Sequence, residues 1–158
     1  MHPSWRILRW RQGLEPTTAA TIGPNGSSAL HDARDLHRQL VIEPTPASVG
    51  VARALIRSHV GAATPEQAET AAICGSELVA NAVVHGAPPI LLTVVSGGAQ
   101  VVVAVEDGSR TPPAPRQPGP TEPGGRGTLI VERLADRWGV DFLPGGKRVW
   151  CLFLVQPP

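Results

Sequence analysis

The chain has 158 residues, of which 42% are hydrophobic, and a formal net charge of +1. This length fits one domain of ordinary size with a sizeable core. Because the net charge is close to zero, it does not indicate a nucleic acid or a membrane surface as the partner. Two cysteines without a metal-type spacing predict reduced, buried thiols in a cytosolic protein rather than a disulfide framework.

The first 38 residues show weak periodicity, and we expect a flexible extension ahead of the domain. The basic start is interrupted by Arg6, Arg9 and Arg11, so it lacks the continuous apolar stretch of a signal peptide. No apolar run reaches the roughly 18–20 residues that would span a bilayer. We therefore expect a cytoplasmic protein whose domain covers residues 39–156.

The hydrophobic patterns predict three helices and five apolar strands. In chain order these are a strand at 39–43, helices at 47–60 and 65–85, strands at 90–96 and 100–106, a helix at 127–137, and strands at 138–143 and 148–155. The second helix has the clearest start, because Thr64 and Gln67 form a capping box around Pro65. Glycines 97–98 predict a hairpin, and residues 144–147 predict the turn between the last two strands.

The second helix carries a carboxylate and a carboxamide on one face. Glu77 and Asn81 are four residues apart, so they lie one turn apart on the same side. Oxygen ligands of this kind suit Mg²⁺ beside nucleotide phosphates, and Glu77 could then activate a hydroxyl or a water. Taken alone, the same spacing also fits an ordinary solvated helix face.

Two glycine-containing segments carry complementary groups. Asp107 and Gly108 follow an apolar strand, where a carboxylate can accept a hydrogen bond from an exocyclic amine such as that of adenine. Gly108 would let the backbone approach a flat ring. Residues 124–127 (GGRG) lead into a helix, whose free N–H groups and dipole favour an anion, and Arg126 can add charge. An ordinary turn and a flexible hinge are the respective alternatives.

Three segments, in this order and spacing, resemble the motifs of the gyrase/histidine-kinase-type ATPase superfamily. Residues 76–86 (SELVANAVVHG) resemble its N box, residues 105–109 (VEDGS) its first glycine box, and residues 124–132 (GGRGTLIVE) its second. The resemblance is strongest to the small stand-alone anti-sigma-factor serine kinases of actinomycetes. It covers roughly residues 39–156, and residues 135–139 (ADRWG) also fit that subgroup.

The resemblance implies a two-layer α/β (α+β) sandwich, with helices on one face of a mixed sheet in a Bergerat-type ATP-binding fold. It implies that ATP and Mg²⁺ bind between the second helix and the glycine-rich segments. Residues 110–124 would form the lid over ATP. The implied site has Glu77 as catalytic base, Asn81 as Mg²⁺ and cofactor ligand, Asp107 and Gly108 at adenine, and Gly125, Arg126, Gly127 and Thr128 at the second glycine box.

The resemblance further implies binding to a sigma factor, phosphorylation of a Ser or Thr on an antagonist protein, and often a homodimer. It implies no direct nucleic-acid or membrane partner. The alternative is a regulatory module that acts only by protein–protein binding, and Arg110, which replaces a further glycine of the superfamily, favours it. A hydrolase built on Ser109, His85 and Asp107 is a weaker alternative, because no GxSxG elbow is present.

Overall fold

The computed structural model describes residues 36–61, 63–97, 99–113 and 127–155. Their elements are β1 (Leu36–Ile42), α1 (Ala47–Ser58), α2 (Pro65–His85), β2 (Ile90–Gly97), β3 (Gln100–Asp107), α3 (Gly127–Leu134), β4 (Arg137–Leu143) and β5 (Gly146–Leu154). The predicted extension, apart from the start of β1, and most of the predicted lid lie outside the described residues. In the described ranges, no helix has the length and apolar character needed to cross a membrane.

The five strands form one sheet in the order β1-β2-β3-β5-β4. The two-layer α+β class is confirmed, but the mixed sheet that the resemblance implied is wrong for the described strands, because every neighbouring pair is antiparallel. Hairpins join β2 to β3 and β4 to β5, and the helix pair between β1 and β2 returns the chain in the opposite direction. The central strand β3 therefore ends beside the start of β5.

The second helix begins and ends where the sequence predicts. Thr64 Oγ1 accepts a hydrogen bond from the Gln67 N–H at 3.3 Å, and Gln67 Oε1 accepts one from the Thr64 N–H at 3.0 Å. This reciprocal pair satisfies two backbone donors at the start of α2, and Pro65 occupies a position where no donor is needed. Local capping chemistry thus fixes where the helix that carries Glu77 and Asn81 begins.

The third helix is shorter than predicted. It ends at Leu134 rather than near residue 137, because the chain is bound to β5 from Asp136 onward. The Asp136 N–H donates to the Leu152 carbonyl at 3.0 Å, and the Asp136 carboxylate accepts from the Leu154 N–H at 2.7 Å. These bonds replace another helical turn with the start of β4.

The core lies between the helices and one face of the sheet. Val101, Val103 and Val105 alternate along β3, are at most 1% exposed and join Ile56 of α1 in one buried cluster. Burying each such side chain stabilises the fold by about 1.5–3 kcal/mol. Gly75 marks the closest approach of α2, since a Cβ atom there would clash with Ile56 Cδ1 and lie 2.9 Å from Val103 Cγ1.

Both cysteines are unpaired and buried in this core, which confirms the expectation of free, buried thiols. Burial raises the pKa of the Cys74 thiol to about 12, and the negative charge of Glu77 adds to the effect. Burial likewise raises the pKa of Cys151 well above its ordinary value, with Cys74 adding to the effect. The thiolate forms are therefore disfavoured in the folded protein.

A charge cluster on the surface joins α1 to α2. Glu69 of α2 forms ion pairs with Arg53 and Arg57 of α1, the latter through Nε at 2.8 Å and Nη2 at 2.6 Å. Hydrogen bonds from Arg53 and then Arg57 lower the pKa of Glu69. All three side chains are more than a third exposed, so water and salt screen this cluster.

Candidate functional site

A cavity of about 260 Å³ opens beside α2, at the end of β3 and the start of β5. The apolar side chains of Leu78, Val105 and Val149 contribute to its wall. The polar side chains that reach it are Asn81, His85, Asp107, Thr111, Thr128 and Lys147. An apolar concavity with a few placed polar groups is the usual form of a small-ligand site.

The structure brings together three of the residues predicted for the site. Asn81 comes from α2, Asp107 from the end of β3 and Thr128 from the first turn of α3, and all three line the cavity. Gly125 and Arg126, which were predicted to lie near phosphates, fall outside the described residues. The cavity therefore joins segments that are distant along the chain.

Glu77 does not line this cavity but lies next to it. It precedes Asn81 by one helical turn, and its Oε2 atom is 2.5 Å from where a Cβ atom on Gly127 would be. Gly127 is the first residue of α3 and directly precedes Thr128. The helix dipole stabilises a carboxylate at the N-terminal end of a helix, so a position beside the start of α3 suits the Glu77 carboxylate.

Asp107 is buried and already has partners. Its side chain is 3% exposed, and its Oδ1 atom accepts a hydrogen bond from the Ser109 N–H at 2.7 Å. The Lys147 ammonium lies 3.0 Å from Oδ1 and 2.9 Å from Oδ2. Lys147 thus neutralises the carboxylate that was predicted to accept the adenine amine.

Glycines allow other segments to approach Asp107 closely. A Cβ atom on Gly86 would lie 2.8 Å from the Asp107 Cγ atom, and one on Gly146 would clash with the Asp107 carbonyl oxygen. Gly108 has a different neighbour, since its Cβ atom would lie 2.8 Å from the Pro88 carbonyl oxygen. Backbone packing therefore accounts for Gly108, and its contact with a flat base stays a prediction.

Lys147 is a charged residue of the site that the sequence patterns did not identify. They assign it to the turn at 144–147, whereas β5 already begins at Gly146 and places Lys147 opposite Asp107 of β3. A signal was present, because Lys147 alternates with the buried Val149 and Cys151, so all three point to one face of the sheet. It is also the only lysine in the chain.

The donor set fits a metal ion that is held mainly by a nucleotide. In the described part of the chain, no group of three or more His, Cys, Asp or Glu side chains could hold a metal by itself. Mg²⁺ beside phosphates keeps several waters and needs only one or two protein oxygens. Asn81 offers one amide oxygen at the cavity, so the residues present suit Mg²⁺ that arrives with a triphosphate.

Comparison with known proteins agrees with this geometry. Residues 42–152 match the histidine kinase-like ATPase domain family, and no curated protein matches the chain. The solved structure of the RsbU and RsbW domains of Rv1364c from Mycobacterium tuberculosis has a TM-score of 0.59 and 20% identity over 78% of this chain.

That likeness shows the fold alone, and this chain covers only 33% of the longer mycobacterial chain. The family match, in contrast, covers well over half of the chain and includes α2, β3 and α3, which supply Asn81, Asp107 and Thr128. The protein thus belongs to the histidine kinase-like ATPase domain family.

Proposed function

We propose that the protein is an ATP-binding regulator, an anti-sigma factor that uses Mg-ATP to phosphorylate a Ser or Thr of an antagonist protein. The observation that carries this proposal is the convergence of Asn81, Asp107 and Thr128 on one cavity, with Glu77 one turn from Asn81. Membership of an ATPase domain family supports the nucleotide. The motif resemblance to anti-sigma-factor serine kinases supports the reaction and the partners.

Each group has a chemical role in this proposal. Asp107 accepts a hydrogen bond from the adenine amine at the buried end of the cavity. The Asn81 amide oxygen would hold Mg²⁺ together with the phosphates, and the ion would offset the charge of the phosphates when bound. Thr128 and the start of α3 face the phosphates, where helix N–H groups favour anions. Gly125 and Arg126 belong to the same proposed phosphate-binding segment.

Glu77 is proposed as the general base. The antagonist hydroxyl oxygen forms a bond to the γ-phosphorus while the bond from that phosphorus to the bridging oxygen breaks, and ADP leaves with the electron pair. The hydroxyl proton passes to the Glu77 carboxylate. Such a base typically contributes about 10²–10⁴-fold to the rate.

The proposal also has parts that do not concern the cavity, and these rest on the family resemblance alone. It includes an ATPase domain over residues 39–156, a sigma factor and an antagonist as protein partners, a homodimer and a cytoplasmic location. It includes no direct nucleic-acid or membrane partner. These parts are separable from the nucleotide site and need their own tests.

The decisive test is incubation with labelled ATP and candidate antagonist proteins, with ATP binding followed in parallel by calorimetric titration. The wild-type protein should transfer label to a Ser or Thr. Glu77→Gln should still bind ATP but transfer label at least about a hundredfold more slowly. If ATP binds and no cognate antagonist is labelled, the kinase role is wrong and only the nucleotide site survives.

A second candidate function is that of a regulatory module that acts by binding its protein partner, without catalysis. It is favoured by Arg110, which follows Ser109 directly and replaces a further glycine of the superfamily at the start of the predicted lid. Asn81→Ala separates the two candidates, since regulation in cells should be lost if catalysis matters and retained if binding suffices. The hydrolase alternative gains no support, because among the described residues the Ser109 hydroxyl makes no hydrogen bond with His85 and only accepts one from the Thr111 N–H at 3.2 Å.

A further inference from the structure

The buried ammonium of Lys147 is the least expected group in the cavity. Its side chain is 6% exposed, although lysine is among the residues least often buried. Its contacts are the Asp107 carboxylate, at 2.9 and 3.0 Å, and the Ser109 carbonyl at 3.4 Å. The chain has only one lysine, since its other strongly basic residues are all arginines. That lysine lies at the proposed nucleotide site.

The ion pair should persist when a ligand enters. Asp107 and Lys147 face each other in the register of β3 and β5, so the backbone holds both side chains in place. Moving the ammonium away from Asp107 would leave two uncompensated charges beside Val105 and Val149, which is strongly unfavourable. A base that reaches Asp107 therefore meets Lys147 as well.

The pair offers an acceptor and a donor side by side. The Lys147 ammonium has three N–H donors, of which two point to Asp107 and the third makes only a long contact of 3.4 Å with the Ser109 carbonyl, so that donor can turn to a ligand. The Asp107 carboxylate has about four lone-pair sites and accepts from Lys147 and the Ser109 N–H, which leaves room for one more donor. The six-membered ring of adenine offers the matching edge, with an N6 amine donor next to the N1 acceptor. The two sets of groups are therefore complementary without displacing either charge.

We propose that Lys147 is a second base-reading residue, which donates a hydrogen bond to adenine N1 while Asp107 accepts one from the N6 amine. This proposal rests on the proposed ATP site and assigns it a specificity-determining residue. A charge-assisted hydrogen bond of this kind should contribute roughly tenfold to a hundredfold in affinity.

The test pairs a change in the ligand with a change in the protein. Dissociation constants are measured by calorimetric titration for ATP and for 1-deaza-ATP, in which N1 is replaced by a C–H group and the N6 amine is kept. Wild-type protein should bind 1-deaza-ATP roughly tenfold to a hundredfold more weakly than ATP. Lys147→Met should bind both nucleotides equally, and Arg137→Met, at an exposed position of β4, should keep the wild-type preference.

The comparison of ATP with 1-deaza-ATP uses the wild-type protein, so it remains informative if Lys147→Met folds poorly. In that case Lys147→Gln, which keeps a neutral donor, should show a reduced but measurable preference for ATP. Equal binding of the two nucleotides by the wild-type protein would overturn this proposal while leaving the ATP site intact. Tighter ATP binding by Lys147→Met would also overturn it, because Lys147 would then compete with the base. No ATP binding by the wild-type protein would overturn the proposed function itself.

Discussion

Glu77 of α2 and Gly127 of α3 lie so close that a Cβ atom on Gly127 would be 2.5 Å from the Glu77 Oε2 atom. The next Glu77 atoms, Cβ and Cδ, would be 3.4 and 3.5 Å away, so only the end of the side chain would have to move. Glycine at this position therefore leaves room for the Glu77 carboxylate.

Gly127→Ala should displace that carboxylate and leave the fold intact. A shift of about 1 Å in a reacting group can cost about a hundredfold in rate, so phosphotransfer to an antagonist should fall by about that factor. ATP affinity should fall by much less than transfer does, because the three atoms nearest the added Cβ all belong to Glu77, which does not line the cavity, while the N–H groups at the start of α3 stay in place. The measurements are label transfer and calorimetric titration with ATP.

The matched control is Gly50→Ala on the exposed side of α1, where an added Cβ atom meets nothing within 4 Å. It should stabilise the fold by about 0.5–1 kcal/mol through helix propensity and leave transfer unchanged. Wild-type transfer by Gly127→Ala would show that the position of Glu77 is not critical and would remove it as the base.

The adjacent glycines 145 and 146 should respond in opposite ways to alanine. A Cβ atom on Gly146 would clash with the Asp107 carbonyl oxygen and lie 2.9 Å from Gly108 Cα, and backbone cannot easily yield. Gly146→Ala should therefore cost about 1–3 kcal/mol of unfolding free energy in urea titrations. Gly145→Ala, with nothing within 4 Å, should cost close to nothing. Equal costs for both would contradict the close packing of β5 against Asp107.

The predictions from sequence are most accurate where the structure depends on residues close together in the chain. The start of α2 at Pro65 depends on side chains within three residues of Thr64, so the capping box could be read directly. The spacing of Glu77 and Asn81 likewise needs only the helical repeat. The strands could be located because their apolar runs are bounded by glycine and proline, but their mutual direction depends on non-local pairing. This is why the sequence did not predict that all neighbouring strands of the described sheet are antiparallel.

The site was predictable only in part, because its electrostatics depend on register. Asp107 was singled out by its place after an apolar strand, whereas its partner Lys147 lies 40 residues further along the chain. Only the pairing of β3 with β5 sets these two side chains opposite each other. The early end of α3 has a similar cause, since a non-local bond to Leu152 takes the Asp136 N–H.

The ion pair between Asp107 and Lys147 should show strong coupling in a double-mutant cycle. Asp107→Asn or Lys147→Met alone leaves one buried charge unpaired and should cost about 3–5 kcal/mol of unfolding free energy without nucleotide. The double variant buries no charge at this position and should cost clearly less than the two single changes added together. Urea titration of the four proteins measures the coupling. Additive costs would mean that the two charges do not interact.

The two cysteines should be unreactive in the folded protein. The thiolate is the reactive form, and burial raises the pKa of Cys74 to about 12 and that of Cys151 well above its ordinary value. Ellman's reagent at neutral pH should therefore label neither thiol until urea unfolds the chain, and should then label both. Rapid labelling of Cys74→Ala in the native state would show that Cys151 is accessible and that its place in the core is wrong.

The charge cluster on α1 and α2 should make stability depend on pH in acid. Hydrogen bonds from Arg53 and Arg57 lower the pKa of Glu69 in the folded state below its ordinary value of 4.5. The folded state therefore binds this proton less readily than the unfolded chain. The stabilisation is present above pH 4.5 and is lost as the pH falls through the lower, folded pKa.

Glu69→Gln should accordingly lower the melting temperature at neutral pH and converge with the wild-type protein in acid. The difference at neutral pH should shrink in high salt, because the side chains are exposed. Glu132→Gln, an exposed position on α3, serves as the control for losing one negative surface charge. A difference between Glu69→Gln and wild type that stays constant from neutral to strongly acidic pH would show that Glu69 stabilises the helices by packing rather than by charge.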